Sequence, residues 1–175
     1  MHENFQFIST VNDMKISYKH RYKIDNTEID IYIPEYNLGI EFNGLYWHSD
    51  SFRDKNYHLN KINHFNEKGI RIVHIWEDDW KLKRQIIESQ IRNLLKLSDK
   101  IYARKCEVIE ISTKECSKFL NENHLQNYIK SHIAIGLFYN EKLVSIMTFG
   151  KPRFNKNFEW ELLRFCSLKE HIVIG

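Results

Sequence analysis

The chain contains little glycine, proline or cysteine. Its 175 residues include 6 glycines and 2 prolines, so the sequence shows no flexible linker. The three cysteines, Cys106, Cys116 and Cys166, lie far apart without a CxxC pair, which is typical of a reduced intracellular protein and offers no framework for structural zinc. No apolar run approaches the roughly 20 residues of a membrane span, and the polar start does not resemble a signal peptide. We therefore expect a cytoplasmic protein with no membrane partner.

The composition is that of a globular protein with a mild positive charge. Hydrophobic residues make up 42% of the chain and charged residues 28%, which favours a packed core over disorder. The formal net charge is +3 at pH 7, which suits a polyanionic partner but is common among proteins with no nucleic-acid ligand. Specific DNA contacts would therefore have to come from local clusters of lysine and arginine.

The first half alternates strand and helix patterns. The spacing of apolar residues predicts strands at 28–33 and 38–44, joined tightly through Pro34. A helix over 57–68 ending at Gly69, a strand at 70–76 and a helix over 80–97 follow. The buried stripe of the last helix is expected to contain Ile86, Ile87, Ile91, Leu94 and Leu95. Residues 2–10 are expected to form only a short, eroded helix, and residues 16–24 a β-like segment. This order predicts an α/β core with a mixed sheet.

The second half begins near residues 97–100, where a helical pattern ends. We therefore expect one domain over residues 1–99 and a smaller α+β region over residues 100–175. Its pattern predicts a strand at 106–111, a helix at 113–122 capped by Ser112 or Thr113, a hairpin of 133–139 with 143–149, and a strand at 159–165. This order faintly resembles the start of a GNAT-type acetyltransferase fold, and we expect that fold to be truncated at Gly175. Acetyl transfer is not expected, and a DNA-contacting or scaffolding role is the simpler interpretation.

Two acidic residues lie within apolar strands of the first half. Asp30 alternates with isoleucines, and Glu41 stands between Ile40 and Phe42. A carboxylate in such a strand is costly to bury unless it is paired or binds a metal. Two neighbouring carboxylates favour a divalent cation that prefers oxygen ligands, either Mg²⁺ or Mn²⁺. The alternative interpretation is that both acids lie at a sheet edge and form local salt bridges.

The segment around these acids resembles a nuclease family. It reads DIYIP at residues 30–34, EFNGLYWHSD at 41–50 and IRIVHIWEDDW at 70–80. The spacing resembles that of the very-short-patch mismatch-repair endonucleases, but their zinc-binding set is absent. The full sequence of these three segments more closely resembles the EDxHD homing endonucleases of bacteriophages, which are relatives in the PD-(D/E)xK superfamily. The resemblance covers roughly residues 20–97 and implies a restriction-endonuclease-like fold.

The resemblance implies a role for several residues. Asp30 would bind the metal, and His48 would act as the general base that activates water. Asp50 would either bind the metal or orient His48. Glu41 and Asn43 stand where the superfamily places its acid-x-lysine pair, so Asn43 is a departure from the motif. Either Lys55 or Lys61 would then replace the missing lysine, or the metal and His48 would suffice. The family's leading glutamate would be Glu3.

Other polar residues are candidates for DNA binding or for ordinary structural roles. A basic strand with interleaved tyrosines and a second basic loop are candidate phosphate contacts, although solvated strand edges look the same. Alternation along the strand would place the side chains of Lys15, Lys19, Arg21 and Lys23 on one face. Together with the two lysines above, the candidates are Lys15, Lys19, Arg21, Lys23, Lys55, Lys61, Lys151, Arg153 and Lys156. His74 is expected to be a core or rim histidine, Trp80 a core residue, and the acids at 77–79 helix-capping residues.

The implied activity is hydrolysis of phosphodiester bonds in double-stranded DNA. The resemblance implies a Mg²⁺-dependent endonuclease of the phage homing type, active in a phage-infected bacterial host, that leaves 5′-phosphate and 3′-hydroxyl ends. It would cut or nick a preferred site, as a monomer or a homodimer. The alternative is a catalytically degraded relative that binds DNA without cleaving it.

Overall fold

The structure is a computed structural model that describes the backbone of residues 2–44 and 57–175 and the side chains of residues 6–44 and 59–175. Contacts divide the chain into two compact units, Met1–Arg84 and Gln85–Gly175. No helix in the described part of the chain is long and apolar enough to cross a membrane.

The Met1–Arg84 unit is a four-stranded mixed sheet with helices. In chain order it contains α1 (His2–Asp13), β1 (Lys19–Ile24), β2 (Thr27–Ile33), β3 (Leu38–Asn43), α2 (Tyr57–Glu67), β4 (Arg71–Trp76) and the start of α3 (Glu77–Leu94). The strands lie in the order β1-β2-β3-β4. The first two pairings are antiparallel, and β3 pairs with β4 in parallel. The predicted mixed α/β architecture is therefore confirmed.

The tight connection between β2 and β3 also forms as predicted. Pro34–Tyr36 is a single 3-10 turn, and Asn37 follows it in the left-handed region with φ 45°. Asparagine tolerates that region better than most residues. The hydroxyl of Tyr32 donates to the Asn37 side chain at 3.1 Å. This turn sets the register in which Ile31 lies opposite Ile40.

Helix α1 is longer than the sequence pattern predicts. It spans 12 residues, so the expectation of a short, eroded helix is wrong. The reason is tertiary packing: the ring of Phe7 stacks on Phe42 with centroids 5.6 Å apart and meets Trp80 edge-on at 5.2 Å. Val11 is also fully buried. Burial of one face stabilises a helix whose intrinsic propensity is weak.

Strand β1 starts later than expected. Lys15 lies in the turn after α1, with φ 55°, and β1 begins only at Lys19. The prediction that Lys15 shares a strand face with Lys19, Arg21 and Lys23 is therefore wrong.

Helix α2 ends at the predicted glycine. Gly69 has φ 75° and its N–H donates to the backbone oxygen of Asn66, which confirms Gly69 as the stop signal of α2.

The Gln85–Gly175 unit contains two sheets. After the second part of α3 come β5 (Asp99–Tyr102), β6 (Glu107–Glu110), α4 (Thr113–Asn123), β7 (Ile133–Tyr139), β8 (Lys142–Gly150), β9 (Glu161–Ser167) and β10 (His171–Ile174). Strands β6 to β9 form an antiparallel sheet in chain order, and β10 pairs with β5 in parallel. Most predicted elements are present within a few residues of their expected ends. Strands β5 and β10 were not predicted.

Local signals explain two of these elements. Ser112 caps α4 in a capping box with Glu115, whose N–H donates to the Ser112 hydroxyl. Asn140 and Glu141 both have positive φ, which suits a two-residue hairpin connection between β7 and β8. The core of this unit includes Cys116, Leu120 and Ile146.

The contact boundary lies within α3, earlier than the predicted boundary near residues 99–100. The second part of α3 is bonded to the end of the chain, which explains its membership of the later unit. The Ser89 hydroxyl accepts from the backbone N–H of Glu170 at 2.7 Å, and Lys169 donates to the Gln85 side chain at 3.1 Å. The function of each half stays a prediction.

Candidate active site

Asp30 and Glu41 come together on β2 and β3. The register of the two strands pairs Ile31 with Ile40, and one further step along both strands places Asp30 opposite Glu41. The backbone N–H of Phe42 donates to Oδ2 of Asp30 at 2.8 Å, which ties the Asp30 side chain to the neighbouring strand. The negative charge of Asp30 is among the causes that raise the pKa of Glu41. The two carboxylates therefore share one local environment.

Glu41 is a buried acid with a buried cationic partner. Nζ of Lys61 lies 2.8 Å from Oε2 of Glu41, and their side chains are only 9% and 10% exposed, respectively. Burial raises the pKa of the Glu41 carboxyl, while the hydrogen bond and charge of Lys61 lower it. Removal from water disfavours the charged carboxylate, and a nearby ammonium group stabilises it. The local salt bridge anticipated as the alternative therefore exists, but inside the unit and not at an exposed edge.

Lys61 lies in helix α2, which follows the acid-bearing strands in the chain. Asn43 occupies the position two residues after Glu41, where the superfamily motif carries lysine. From the sequence, either Lys55 or Lys61 was a candidate to replace the missing motif lysine. The structure describes a contact of Lys61 with Glu41, whereas Lys55 lies outside the described residues.

His74 contacts the same group of residues from β4. The parallel register places it beside Glu41, and Nδ1 of its ring lies 3.0 Å from Nδ2 of Asn43. The Asn43 amide can donate to this nitrogen when it is unprotonated. The sequence suggested only a core or rim histidine. Its place beside Glu41 depends on a parallel pairing between strands separated by α2, so no local signal could have identified it.

The acidic pair offers oxygen ligands that suit a divalent cation. Oε1 of Glu41 is buried and has no hydrogen-bond partner among the described residues. Asp30 has one oxygen engaged by the backbone of Phe42, which leaves the other for a ligand. Such carboxylate oxygens fit Mg²⁺ or Mn²⁺. Among the described side chains, those of residues 6–44 and 59–175, no group of three acidic, histidine or cysteine residues could hold a metal ion.

Several predicted site residues fall outside the described part. His48, Asp50 and Lys55 lie within residues 45–56, outside the described residues. The backbone of Glu3 belongs to the first turn of α1, but its side chain is outside them as well. The roles assigned to these residues stay predictions.

The basic strand near the site is exposed, and part of its charge is compensated. The guanidinium of Arg21 lies 2.9 Å from Glu28, and Nζ of Lys23 lies 3.3 Å from the same carboxylate. Glu28 is the main cause that raises the pKa of Arg21, and Asp30 adds a smaller contribution. Lys19 lies over the ring of Tyr22 at 5.1 Å. Arg21 also has φ 52° at the register position opposite Asp30.

Other predicted residues have structural surroundings. The acids at residues 77–79 begin α3, and Nζ of Lys81 lies 2.6 Å from Glu77, which supports the interpretation as helix-capping residues. Trp80 is 1% exposed, which confirms it as a core residue. The last basic candidates, Lys151, Arg153 and Lys156, are exposed and lie between β8 and β9 in the other unit.

Comparison with known proteins gives one structural similarity. No family model matches the chain, and no curated protein matches it. Among solved structures, the chain is similar to the homing endonuclease I-Bth0305I catalytic domain, with a TM-score of 0.46 and 22% sequence identity. The similarity covers 54% of this chain and 93% of that domain.

Proposed function

We propose that this protein is a metal-dependent DNA endonuclease of the PD-(D/E)xK type, with a restriction-endonuclease-like catalytic unit at Met1–Arg84. One observation carries the proposal: Asp30 and Glu41 lie on adjacent strands, and the ammonium of Lys61 contacts the buried Glu41 carboxylate. This is an acid-acid-lysine set in which a helix supplies the lysine. Its substrate would be double-stranded DNA, cut or nicked at a preferred site as in phage homing.

Asp30 and Glu41, together with Asp50, would hold Mg²⁺, for which Mn²⁺ could substitute. When bound, the metal supplies positive charge that binds and polarises the scissile phosphate. The Phe42 N–H holds one oxygen of Asp30 in place, so this side chain is oriented before any ligand arrives. Orientation in advance reduces the entropy lost on binding.

Lys61 has two roles in this proposal. First, its hydrogen bond and charge lower the pKa of Glu41 and so oppose the larger effect of burial, which raises it; the ionised carboxylate is the form that binds a metal well. Second, its ammonium can offset negative charge that develops on the phosphate in the transition state. Asn43 cannot supply that charge. Its amide, in contact with His74, can instead orient a phosphate oxygen.

His48 is the proposed general base. An imidazole accepts a proton from water at neutral pH, and Asp50 would orient that ring. Attack of the deprotonated water on phosphorus breaks the bond to the 3′ oxygen and leaves a 5′-phosphate and a 3′-hydroxyl. Glu3 would complete the acidic set from α1.

The direct test is cleavage of supercoiled plasmid. The wild-type protein with Mg²⁺ should convert it to nicked or linear DNA, and EDTA should stop the reaction. Asp30→Asn should abolish cleavage while retaining the fold, as judged by circular dichroism. Asp13→Asn, which changes an exposed aspartate at the end of α1, is the matched control and should cleave normally. Discrete cuts in a phage genome would support site preference.

The competing proposal is a nuclease-fold protein that binds DNA without cleaving it. The observation in its favour is Asn43 at the motif position of lysine. A gel-shift measurement beside the plasmid assay separates the two proposals. Tight binding of duplex DNA by a wild-type protein that nicks nothing, with either Mg²⁺ or Mn²⁺, would favour binding alone.

A further inference from the structure

The loop between β8 and β9, residues 151–160, exposes aromatic rings to solvent. We call it the β8–β9 loop. Phe154 is 89% exposed and Phe158 is 65% exposed, whereas Phe119 in the same unit is 7% exposed. A phenyl ring gains free energy when it leaves water. Clustered exposure of such rings marks an interaction surface more often than an ordinary solvated loop.

Cations alternate with these rings. The loop contains Lys151, Arg153 and Lys156 and one acid, Glu159. Glu161 of β9 pairs with Arg153, so the excess positive charge comes from the two lysines. Nζ of Lys151 lies 4.1 Å from the ring centroid of Trp160, and the guanidinium carbon of Arg153 lies 5.8 Å from that of Phe154. The loop therefore presents a positive, aromatic surface to an anionic partner.

The base of the loop is anchored. Glu161 accepts hydrogen bonds from the backbone N–H of Arg153 at 2.9 Å and from its guanidinium at 2.8 Å. This bond pattern joins the start of the loop to β9. A ring presented on an anchored loop loses less conformational entropy on binding than one on a free chain.

The chemistry of this surface fits unpaired nucleotides. Unpaired bases stack on aromatic rings, and the phosphates between them pair with cations. Bases within a duplex already stack on one another and offer only their edges to protein. An anionic lipid surface also attracts rings and lysines, but each ring here has polar neighbours: Asn155, Asn157 and Glu159 separate the aromatic residues. Burial of those amides and that carboxylate in a bilayer would be costly.

We propose that the β8–β9 loop binds single-stranded DNA, with unpaired bases stacked on Phe154 and Phe158 and phosphates paired with Lys151 and Lys156. The stacking of bases on these rings is independent of the nuclease proposal. The choice of DNA, and not RNA, as the nucleic acid rests on the nuclease proposal. Binding at this loop requires neither the metal nor the acids of the candidate active site.

The test measures binding of fluorescently labelled oligonucleotides to the full chain in EDTA, so that cleavage plays no part. The variant Phe154→Ala/Phe158→Ala should bind an oligothymidylate of about 12 nucleotides at least about 10-fold more weakly than wild type. Its affinity for a duplex should change less than about 2-fold. Phe154→Tyr/Phe158→Tyr keeps both rings and should retain wild-type affinity. Val108→Ala, which shortens an exposed side chain on β6, is the control for lost apolar surface.

Three outcomes would overturn the inference. The first is undiminished single-strand binding by the alanine variant, and the second is an equal loss on duplex DNA. The third is binding to vesicles of anionic phospholipid that depends on Phe154 and Phe158 while oligonucleotide binding does not. Tighter binding of the same sequence as RNA would overturn the choice of DNA. Because the assay contains no metal, failure of plasmid cleavage leaves the stacking of unpaired bases on this loop intact, and the comparison of DNA with RNA then decides the nucleic acid. Failure of oligonucleotide binding leaves the nuclease proposal intact.

Discussion

At the scale of single residues, the Glu41–Lys61 pair dominates the electrostatics of the candidate site. Both side chains are almost removed from solvent, and transfer of two charges out of water costs several kcal/mol per ion before their attraction offsets it. Oε1 of Glu41 gains no hydrogen bond from the described residues. A pair with such incomplete compensation is better explained by function than by stability.

Removal of only one partner of the Glu41–Lys61 pair should therefore lower the free energy of unfolding strongly. Lys61→Met leaves the Glu41 carboxylate buried without its counter-ion and should destabilise the fold by about 3–5 kcal/mol. The double variant Glu41→Gln/Lys61→Met removes both charges and should recover most of that loss. Urea unfolding at pH 7 measures both effects. Lys68→Met is the matched control, since Lys68 forms an exposed pair with Asp25 and its loss should change stability little. A double variant no more stable than Lys61→Met would contradict this account.

The raised pKa of Glu41 predicts the sign of one pH effect. Between the ordinary glutamate pKa and the raised one, the folded state binds a proton that the unfolded state has already lost. The Glu41 contribution to stability therefore falls as pH rises through that window. Glu41→Gln removes the titration, so its stability relative to wild type should improve as pH rises from about 4.5 and then level off.

Unfolding curves at several pH values measure this difference. Glu35→Gln, which changes an exposed glutamate in the turn before β3, should show no such trend. If the difference in free energy of unfolding between wild type and Glu41→Gln stays constant with pH, Glu41 does not titrate in this way.

Two of the site residues were predictable from local pattern, and two were not. Asp30 and Glu41 stand out because an acid within an alternating apolar strand requires a reason. Lys61 was one of two candidates, and only the packing of α2 distinguished it. His74 was read as a core or rim residue because its neighbours in sequence are apolar, whereas its contact with Asn43 comes from a strand about 30 residues away in the chain.

At the scale of elements, the parallel pairing of β3 with β4 positions Glu41 beside His74. Gly39 and Ile72 lie opposite each other in this pair. A β-carbon added at Gly39 would lie 2.5 Å from the terminal methyl carbon of Ile72 and within 3.2 Å of Ile29. The side chains of Ile72 and Ile29 therefore occupy the space that a side chain at residue 39 would take.

Gly39→Ala should destabilise the Met1–Arg84 unit by about 1–3 kcal/mol, since the added methyl overpacks the space beside Ile72. Gly39→Ala/Ile72→Val removes the clashing methyl and should recover part of the loss. Chemical unfolding measures both variants, and Ile72→Val alone reports the cost of the lost methyl. If the double variant is less stable than the sum of the two single changes, the close contact with Ile72 is not the cause.

Elements with strong local signals were predicted well, and those that depend on distant partners were not. The α4 cap and the Gly69 stop each follow from a few adjacent residues. By contrast, α1 extends to Asp13 because Phe7 and Val11 are buried. Strand β5 is only four residues long and forms by pairing with β10, which is distant in the sequence. No local sequence pattern therefore predicts it.

At the scale of the whole molecule, the acids of the site and the exposed β8–β9 loop belong to different compact units. If the nuclease proposal is correct, Mg²⁺ binds the folded chain and not the unfolded one, so it should raise the stability of the Met1–Arg84 unit. A ligand at 100 times its dissociation constant stabilises a fold by about 2.7 kcal/mol.

Thermal unfolding with increasing Mg²⁺ measures this effect without DNA or activity. The wild-type melting temperature should rise with Mg²⁺ and return to its starting value with EDTA. Asp30→Asn should lose the Mg²⁺ response, whereas the Asp13→Asn control should keep it. An equal rise in all three proteins would indicate a general salt effect and contradict metal binding by Asp30.

The sequence by itself determined the mixed α/β class, the β2–β3 connection and the pair of acids that this connection brings together. These features depend on alternation, on turn residues and on capping, which act over a few neighbouring positions. Only the tertiary structure decided that Lys61 contacts Glu41, that His74 contacts Asn43 and that α1 continues to Asp13. Those contacts join residues far apart in the chain, and their free energy comes from burial and strand pairing that no local pattern encodes.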